Sequence, residues 1–291
     1  MAPNKKMTTL GRIALFAAAL KWGISFVVLK NILDNISPLY ILAIRFSGAA
    51  LILLPACIGR KIDKAHIGGG MIMGAALFLA YASQTYGLNY TTPGKNAFLT
   101  AIYCIIVPFL YWIYMKKRPD RFNAIAALIC FIGIGFISID GDMRIGLGDS
   151  LTILGGLFFA VHIVITAKVV EGRSPGVLAM LQFATVGFIS AAGAFLFEPF
   201  PVTATTQDWL SILFLTVVCT AGCLSFQAFG QKYTPPSQAS IILTLESVLG
   251  ALTSVLLMYE VLSLRLLIGF ALTFAAVMIS ETKPGFLGKK R

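Results

Sequence analysis

The sequence contains two copies of one apolar repeat. Residues 84–96 (QTYGLNYTTPGKN) and residues 227–239 (QAFGQKYTPPSQA) share Gln, Gly, Tyr, Thr and Pro at matching places, 143 positions apart. A second match aligns Pro38 with Pro175. If each copy crosses a membrane an odd number of times, the second copy is inverted relative to the first. Many transporters are built in this way.

Composition excludes a soluble globular protein. Hydrophobic residues make up 58% of the chain and charged residues only 12%, whereas soluble domains carry about 25% charged residues. Apolar stretches close to the roughly 20 residues that cross a hydrocarbon core recur from end to end. They predict ten membrane spans, at residues 10–30, 38–58, 66–88, 94–115, 122–139, 149–169, 175–197, 208–230, 236–258 and 264–281.

The two copies divide the chain in its fifth linker. We expect a first repeat over residues 1–141, with spans 1 to 5, and a second repeat over residues 142–291, with spans 6 to 10. The predicted fold is an all-α integral membrane protein with ten transmembrane helices, arranged as two inverted five-helix repeats. The linkers are short, so little sequence remains for a soluble domain.

The basic residues indicate how these spans are oriented. Of the 23 lysines and arginines, 17 fall on the side of the N-terminus and four on the other side. Because cytoplasmic segments carry such an excess, we expect both termini in the cytoplasm and the protein in the cell (inner) membrane. The net charge of +11 then serves to orient helices in the lipid bilayer, and nucleic acid is not an expected partner.

The sequence lacks the motifs of catalysis and cofactor binding. Gly94-Lys95 is not a phosphate-binding loop, because the required first glycine is Asn89. Two histidines cannot build a three-histidine metal site, and all five cysteines fall inside predicted spans, where packing is their usual role. We expect no catalytic residue, no metal and no cofactor. Any transport then runs on a gradient or lets the substrate equilibrate.

Two opposite charges are predicted at the same depth in the membrane. Lys21 lies about eleven residues into span 1 and Glu246 about ten residues into span 9, and the two spans run in the same direction. At about 1.5 Å per residue both approach the midplane, where an ionisable side chain costs about 2.5–3.5 kcal/mol. The pair either staples the two spans together or lines a central site that meets substrate or a proton.

Other polar and aromatic side chains are predicted at similar depth. His162, in the middle of span 6, is either a proton carrier or a histidine hydrogen-bonded between helices. The repeat-equivalent Gln84 and Gln227, together with Tyr103, either hold helices together or offer hydrogen bonds to a solute. Trp22 lies in mid-span although tryptophan prefers the interface, which favours a role in a cavity wall.

Arg45 is predicted to be a structural anchor or a gate rather than a substrate-binding residue. It lies about seven residues into span 2, close to one membrane face, where a long basic side chain can reach the interface. Gln182 occupies the corresponding position in span 7.

Several stretches of the sequence resemble those of the drug/metabolite transporter superfamily, and specifically of its ten-helix EamA-type transporters. The resemblance covers essentially the whole chain. The matching phrases are Trp22-Gly23, LAIRF (42–46), QTYGLNYTTPGKNAFLTAIYCIIVP (84–108), GDSLTILGGLFFAVHI (148–163), LQF (181–183) and FQAFGQKYTPPSQASIILTLES (226–247). Some positions depart from the family pattern: Ser247 replaces a proline, Tyr259 replaces a glycine before Glu260, and Lys21 stands where an apolar residue is usual.

The resemblance implies an inverted-repeat bundle with a central cavity lined by spans 1, 3, 4, 6, 8 and 9. It also implies movement of small organic solutes, often amino acids or other metabolites, and frequently outward.

We therefore predict a secondary transporter that moves amino acids or related small metabolites out of the cell by alternating access. An uncoupled facilitator of the same fold is the alternative. An integral membrane enzyme is a remote one, because the sequence shows no cluster of acids or histidines at one interface. The expected partners are a small-molecule substrate, protons as a candidate coupling ion, and lipid, for a monomer or a homodimer.

We expect the substrate-binding side chains to face one central cavity near the midplane. They are Lys21, Trp22, Gln84, Tyr103, His162, Gln227 and Glu246. A zwitterionic amino acid would then place its carboxylate at Lys21 and its amine at Glu246.

Overall fold

A computed structural model describes residues 5–282 of the chain, except residues 117, 139–145, 258 and 260. The predicted repeat boundary at residues 141 and 142 lies outside the described residues, as does Glu260. The described part is helical and contains no strand. Its α-helices are α1 (Lys5–Ile32), α2 (Pro38–Leu53), α3 (Lys64–Asn89), α4 (Pro93–Thr100), α5 (Tyr103–Met115), α6 (Arg121–Ser138), α7 (Leu147–Val169), α8 (Pro175–Phe197), α9 (Thr206–Phe214), α10 (Cys223–Tyr233), α11 (Pro236–Leu256) and α12 (Leu264–Thr282).

The helices begin where the sequence supplies a turn former. Pro38, Pro93, Pro175 and Pro236 each occupy the first position of a helix, where the missing N–H of proline costs nothing. The threonine before α9, Thr205, forms a capping box in which its hydroxyl and the carboxylate of the third helical residue satisfy each other's backbone N–H groups. Local sequence therefore sets the helix starts.

Each of the ten predicted apolar stretches is helical over most of its described length. Within the described residues, seven helical segments are long and apolar enough to cross a membrane. They are Lys6–Ile32, Lys64–Asn89, Pro93–Tyr114, Leu147–Val169, Pro175–Phe197, Thr206–Tyr233 and Gln238–Leu256. Shorter apolar helices cover Pro38–Leu53, Arg121–Phe136 and Leu264–Ala276. The protein is thus an all-helical, multi-pass membrane protein, while the count of ten spans stays a prediction.

Two of the long segments are irregular in their middle. The segment Pro93–Tyr114 breaks at Ala101 and Ile102, between α4 and α5. The segment Thr206–Tyr233 contains a π-helical segment, Leu215–Gly222, between α9 and α10. A π-helical turn displaces backbone carbonyls from their regular partners and occurs frequently at functional sites.

Helix pairing brings the two halves of the chain into one bundle. Helix α1 packs against α10 and α11, helix α3 against α7 and α8, helix α2 against α8, and helix α6 against α12. We call the end of the bundle where α1 begins the terminal end, and the opposite end the far end. At the terminal end, Arg12 donates a hydrogen bond to Gln238 over 3.0 Å. At the far end, Asn35 donates a hydrogen bond to Asp208 over 3.0 Å.

Glycine pairs allow two of these helix crossings. A Cβ built on Gly148 of α7 would lie 2.8 Å from the carbonyl oxygen of Gly87 of α3. A Cβ built on Gly230 of α10 would lie 2.7 Å from the carbonyl oxygen of Gly11 of α1. Small residues at such crossings let two backbones approach closely in a membrane, where packing rather than hydrophobicity holds helices together.

We expect Gly148→Ala to destabilise the fold by about 1–3 kcal/mol, because the new methyl group meets only backbone atoms. Those atoms belong to Gly87 and Tyr90, at 2.7 to 2.8 Å. Gly146→Ala is the matched control, since no atom lies within 4 Å of its Cβ position. Thermal unfolding in detergent can be followed with a thiol-reactive dye, because the five cysteines are free and buried. Equal midpoints for the two variants would contradict the close crossing.

Candidate functional site

A central cavity lies between helices of both halves of the chain. Its free volume is about 30 Å³, which holds water but not an amino acid. The side chains around it come from α1, α2, α3, α5, α7, α10 and α11. They are Trp22, Ser25, Phe26, Leu29, Arg45, Tyr81, Gln84, Tyr103, Phe159, Ile163, Gln227, Leu243 and Glu246.

The structure brings together five of the seven residues that the sequence singled out. Trp22, Gln84, Tyr103, Gln227 and Glu246 all line this cavity. They reach it from five different helices, so only the packing of both halves assembles them. The cavity takes side chains from spans 1, 3, 4, 6, 8 and 9, as the resemblance implied, and also from span 2.

Tyr103 and Glu246 meet at the contact between the halves. The two positions are 143 residues apart, the same offset that relates the repeated phrases. The Tyr103 hydroxyl donates to Glu246 Oε1 over 3.2 Å, and both residues are buried. Among the described residues, no basic side chain forms an ion pair with Glu246. Its carboxyl group therefore borders the cavity without a cationic partner from the described residues.

Lys21 does not reach this site, and the predicted proximity of Lys21 to Glu246 is corrected here. Its side chain is exposed, and its Nζ lies 5.3 Å from the centroid of the Phe226 ring. Neighbouring helical residues project about 100° apart. The next residue, Trp22, is buried in the cavity wall, whereas Lys21 is not among the residues that line the cavity. The depth of Lys21 could be predicted from the sequence, but the rotation of α1 could not.

His162 also lies outside the cavity. Its Nε2 is 2.9 Å from Gln182 Oε1 and 3.2 Å from Thr166 Oγ1, and the ring is buried between α7 and α8. Of the two roles predicted for it, the structure has the geometry of the histidine hydrogen-bonded between helices. The ring faces α8, whereas its chain neighbour Ile163 lines the cavity.

Arg45 is the residue that the sequence interpretation misplaced. It is only 2% exposed and lines the cavity, where we had predicted an anchor near the membrane face. The helix begins at Pro38 as predicted and continues as a 3-10 turn to Cys57, so what the sequence could not predict is that the Arg45 side chain turns inward to the cavity instead of outward to the interface. A basic residue inside an apolar span is by itself a signal of function.

Trp22 connects α1 to the π-helical segment. Its indole Nε1 donates to the backbone carbonyl of Cys219 over 2.7 Å, a carbonyl that the widened turn makes available. On the opposite wall, Tyr81 packs edge-on against Phe46 and Phe159, with ring centroids 5.1 Å apart in both pairs. Aromatic side chains therefore form much of a rigid wall.

The two repeat-equivalent glutamines are used differently. Gln84 donates through Nε2 to Thr100 over 2.8 Å, and its backbone carbonyl accepts from Asn96 over 3.1 Å. Gln227 lines the same cavity but forms no side-chain hydrogen bond with the described residues. Gln84 thus holds α3 to α4, and the amide of Gln227 is available to a solute.

The side chains of the cavity offer several groups that can recognise a solute. Nothing in the described part of the chain groups three His, Cys, Asp or Glu side chains that could hold a metal ion. The cavity instead offers one guanidinium, one carboxylate, two amides and aromatic walls. Such a site can bind a small solute that carries both charged and apolar groups.

Trp22→Phe should lower the free energy of unfolding by about 1–3 kcal/mol, because the buried carbonyl of Cys219 loses its donor. Trp112→Phe is the matched control, since Trp112 is 37% exposed. Dye-monitored unfolding in detergent would show the difference. A midpoint for Trp22→Phe no lower than that of the control would mean that this bond contributes nothing.

Comparisons with known proteins agree with this architecture. The family described as the EamA-like transporter family matches the chain twice, over residues 9–139 and 146–282. An uncharacterised transporter of Archaeoglobus fulgidus is 32% identical over 273 residues, which cover 92% of this chain and 84% of that protein. The uncharacterised transporter YoaV of Bacillus subtilis is 23% identical, covering 92% of this chain and 95% of that protein.

A solved crystal structure shares the fold. It superposes with a TM-score of 0.75 at 16% identity, covering 94% of this chain and 98% of the other. The family and the curated relatives are transporters and not enzymes, and the two family matches span nearly the whole described helical bundle. The chain therefore belongs to the EamA-like transporter family.

Proposed function

We propose that this protein is a secondary transporter that moves amino acids or related small metabolites out of the cell by alternating access. The proposal places ten spans in the membrane as two inverted five-helix repeats. One observation carries it: Glu246, Arg45 and an unengaged amide border one cavity at the contact between the halves. Substrate sites of inverted-repeat transporters lie at such a position.

The pairing of helices supports the inverted arrangement. The contact of α1 with α10 has a counterpart in the contact of α7 with α3. The glycine pairs at these two crossings correspond as well, since Gly11 and Gly148 are 137 positions apart and Gly87 and Gly230 are 143 apart. A two-fold axis in the membrane plane would produce this exchange of partners, and the two matches to the family are in line with it.

The distribution of basic residues supports a cytoplasmic terminal end. The terminal side holds 17 lysines and arginines, and the far side holds four. This excess is typical of cytoplasmic segments. In the proposed orientation, the far end of the bundle faces the outside of the cell (inner) membrane.

A lysine clamp closes the far end. Lys30, near the end of α1, donates through Nζ to the carbonyls of Leu88, Asn89 and Thr91 over 2.8, 3.3 and 3.3 Å. The carbonyls of Leu88 and Asn89 belong to the last turn of α3, where the helix dipole favours a cation. The clamp joins α1 to α3 above Leu29, which lines the cavity.

The terminal end lacks this clamp. The counterpart of Lys30, 137 positions on, is Ala167, which has no polar group. A cleft of about 260 Å³ opens there, and its lining includes Ala167, Gln231, Lys232 and Thr234. The last three are the counterparts, 143 positions on, of the residues that Lys30 contacts. The two ends therefore differ in this contact, as they would in one state of an alternating-access cycle.

A second contact closes the far end without a counterpart at the other end. The Glu198 carboxylate accepts from the backbone N–H groups of Leu39 and Tyr40 at the start of α2. It also accepts from the Tyr86 hydroxyl over 2.6 Å. The position corresponding to Glu198 in the first half is Lys61, which cannot accept such bonds.

The polar content of the cavity favours amino acids among small metabolites. A zwitterion brings one negative and one positive group, and the cavity holds one guanidinium and one carboxylate that are not paired with each other. The apolar and aromatic walls suit an apolar side chain. We propose that the amine of the solute binds Glu246.

Glu246→Gln should abolish flux of the transported amino acids in proteoliposomes, because it removes the charge that binds the amine. Lys21→Ala is the matched control and should transport normally, since Lys21 is exposed and does not line the cavity. Both variants should insert and unfold like the wild type. Normal flux in Glu246→Gln, or loss of flux in Lys21→Ala, would contradict the site.

The same assay decides coupling. Flux of the proteinogenic amino acids would be measured with and without a pH gradient. Acceleration by the gradient supports proton coupling, whereas equilibration at the same rate in both conditions would identify an uncoupled facilitator.

Lys30→Ala should open the far end, because it removes the clamp on the end of α3. A cysteine in place of Ser25, which lines the cavity, should then react faster with an impermeant maleimide from the far side. Right-side-out and inside-out vesicles separate the two sides. Arg12→Ala is the control, as it removes an exposed contact at the terminal end. Unchanged labelling from the far side would refute the clamp.

A further inference from the structure

We infer that Arg45 is the anion-binding residue of the central cavity and that the transported solute carries a carboxylate that binds it. This inference rests on the proposed function in that the cavity is taken as the solute site. Arg45 takes the place of Lys21 as the expected cationic residue of the site, and the substrate is then required to carry a carboxylate.

The guanidinium of Arg45 is held in a fixed position. Its Nε donates to the Thr220 hydroxyl in the π-helical segment, and that hydroxyl donates to the carbonyl of Leu215 over 2.8 Å. Its Cζ lies 4.8 Å from the centroid of the Tyr81 ring and 5.5 Å from that of Phe46. An arginine oriented by a hydrogen bond and by aromatic faces loses little further freedom when it binds a ligand.

The remaining donors of Arg45 are not satisfied by the protein. Its Nη2 is buried and has no hydrogen-bond partner among the described residues. No described carboxylate forms an ion pair with it, although Glu246 lines the same cavity. Buried charges in proteins are almost always paired. An oriented and unpaired guanidinium that is only 2% exposed therefore points to a partner from outside the chain.

A carboxylate is the partner that fits these donors. The planar guanidinium fork binds the two oxygens of a carboxylate in parallel. With Nε engaged by Thr220, the donors on the Nη atoms are left for such a ligand. A solute that also carries an amine would bind Glu246 through that amine at the same time.

The other half of the chain argues against a purely structural role. The counterpart of Arg45 is Gln182, whose neutral amide is satisfied by His162 over 2.9 Å. In the second half, Gln182 and its partner His162 therefore fill the position that corresponds to Arg45 without an arginine. The charge at position 45 is not needed to hold the helices and is costly to bury, so its presence fits a binding role.

The first test uses formate, a carboxylate small enough for water-sized space. Purified protein in detergent would be unfolded in a formate concentration series, with formamide as the neutral analogue. We expect formate, and not formamide, to raise the unfolding midpoint of the wild type, because a ligand that binds the native state stabilises it. Arg45→Gln should lose this shift, Arg45→Lys should keep part of it, and Glu246→Gln should keep it.

Two results would overturn the assignment. One is the absence of a formate shift in the wild type, and the other is an equal shift in Arg45→Gln. The variant also reports on stability without ligand. Arg45→Gln should unfold no earlier than the wild type, because it removes an uncompensated charge. A much lower midpoint would instead show that Arg45 serves as a helix staple.

The second test compares amino acids with the amines that lack only the carboxylate, in proteoliposomes. The wild type should move the amino acid and not its decarboxylated amine, and Arg45→Gln should lose about tenfold or more of the amino-acid flux. Absence of amino-acid flux in the wild type with an intact formate shift would refute the proposed substrates but not the role of Arg45. Amino-acid flux that Arg45→Gln leaves unchanged would refute Arg45 alone.

Discussion

The absence of water from the hydrocarbon core is the constraint on which this structure depends. Every backbone polar group within the membrane must be satisfied by the chain itself, which leaves helices as the spanning elements of this fold. Every charged side chain at that depth must find a partner or a polar cavity. In this protein both demands meet at one place, where a π-helical turn and a broken helix surround the cavity that holds Arg45 and Glu246.

Helices of the two halves form corresponding contacts, α1 with α10 and α7 with α3, whereas the polar groups at corresponding positions differ. Glu246 corresponds to the neutral Tyr103, and Arg45 corresponds to the neutral Gln182. In each case one half of the chain carries the charge, and the other half packs the same position with a neutral side chain. Packing alone therefore does not require these charges. In the function we propose, two inverted copies supply two alternating openings, and the side chains that differ between the halves give the shared cavity its chemical selectivity.

Part of this arrangement could be predicted from the sequence, because depth follows from counting residues along a helix. Counting places Trp22 and Glu246 near the middle of their spans, and both residues line the cavity. Rotation about the helix axis depends on contacts with other helices, so Lys21 was predicted to face the cavity although it lies on the exposed face. The ring of His162 likewise lies outside the cavity, because the rotation of α7 places it against Gln182 of α8. Arg45 lines the cavity for a similar reason, since the direction of its side chain from α2 depends on the helices packed around it.

The ionisable groups that line the cavity influence the conformational change that follows solute binding. In the conformation described here, Lys30 joins α1 to the end of α3 and the cavity has room only for water. Arg45 and Glu246 form no ion pair with each other, and an ionised group that is buried without a partner costs free energy. A zwitterionic solute would pair with both groups and remove that cost. A ligand can shift a conformational equilibrium only by its differential affinity for the states. If the solute binds as we propose, the two charges are the source of that difference, and the bound solute itself favours passage through the closed state.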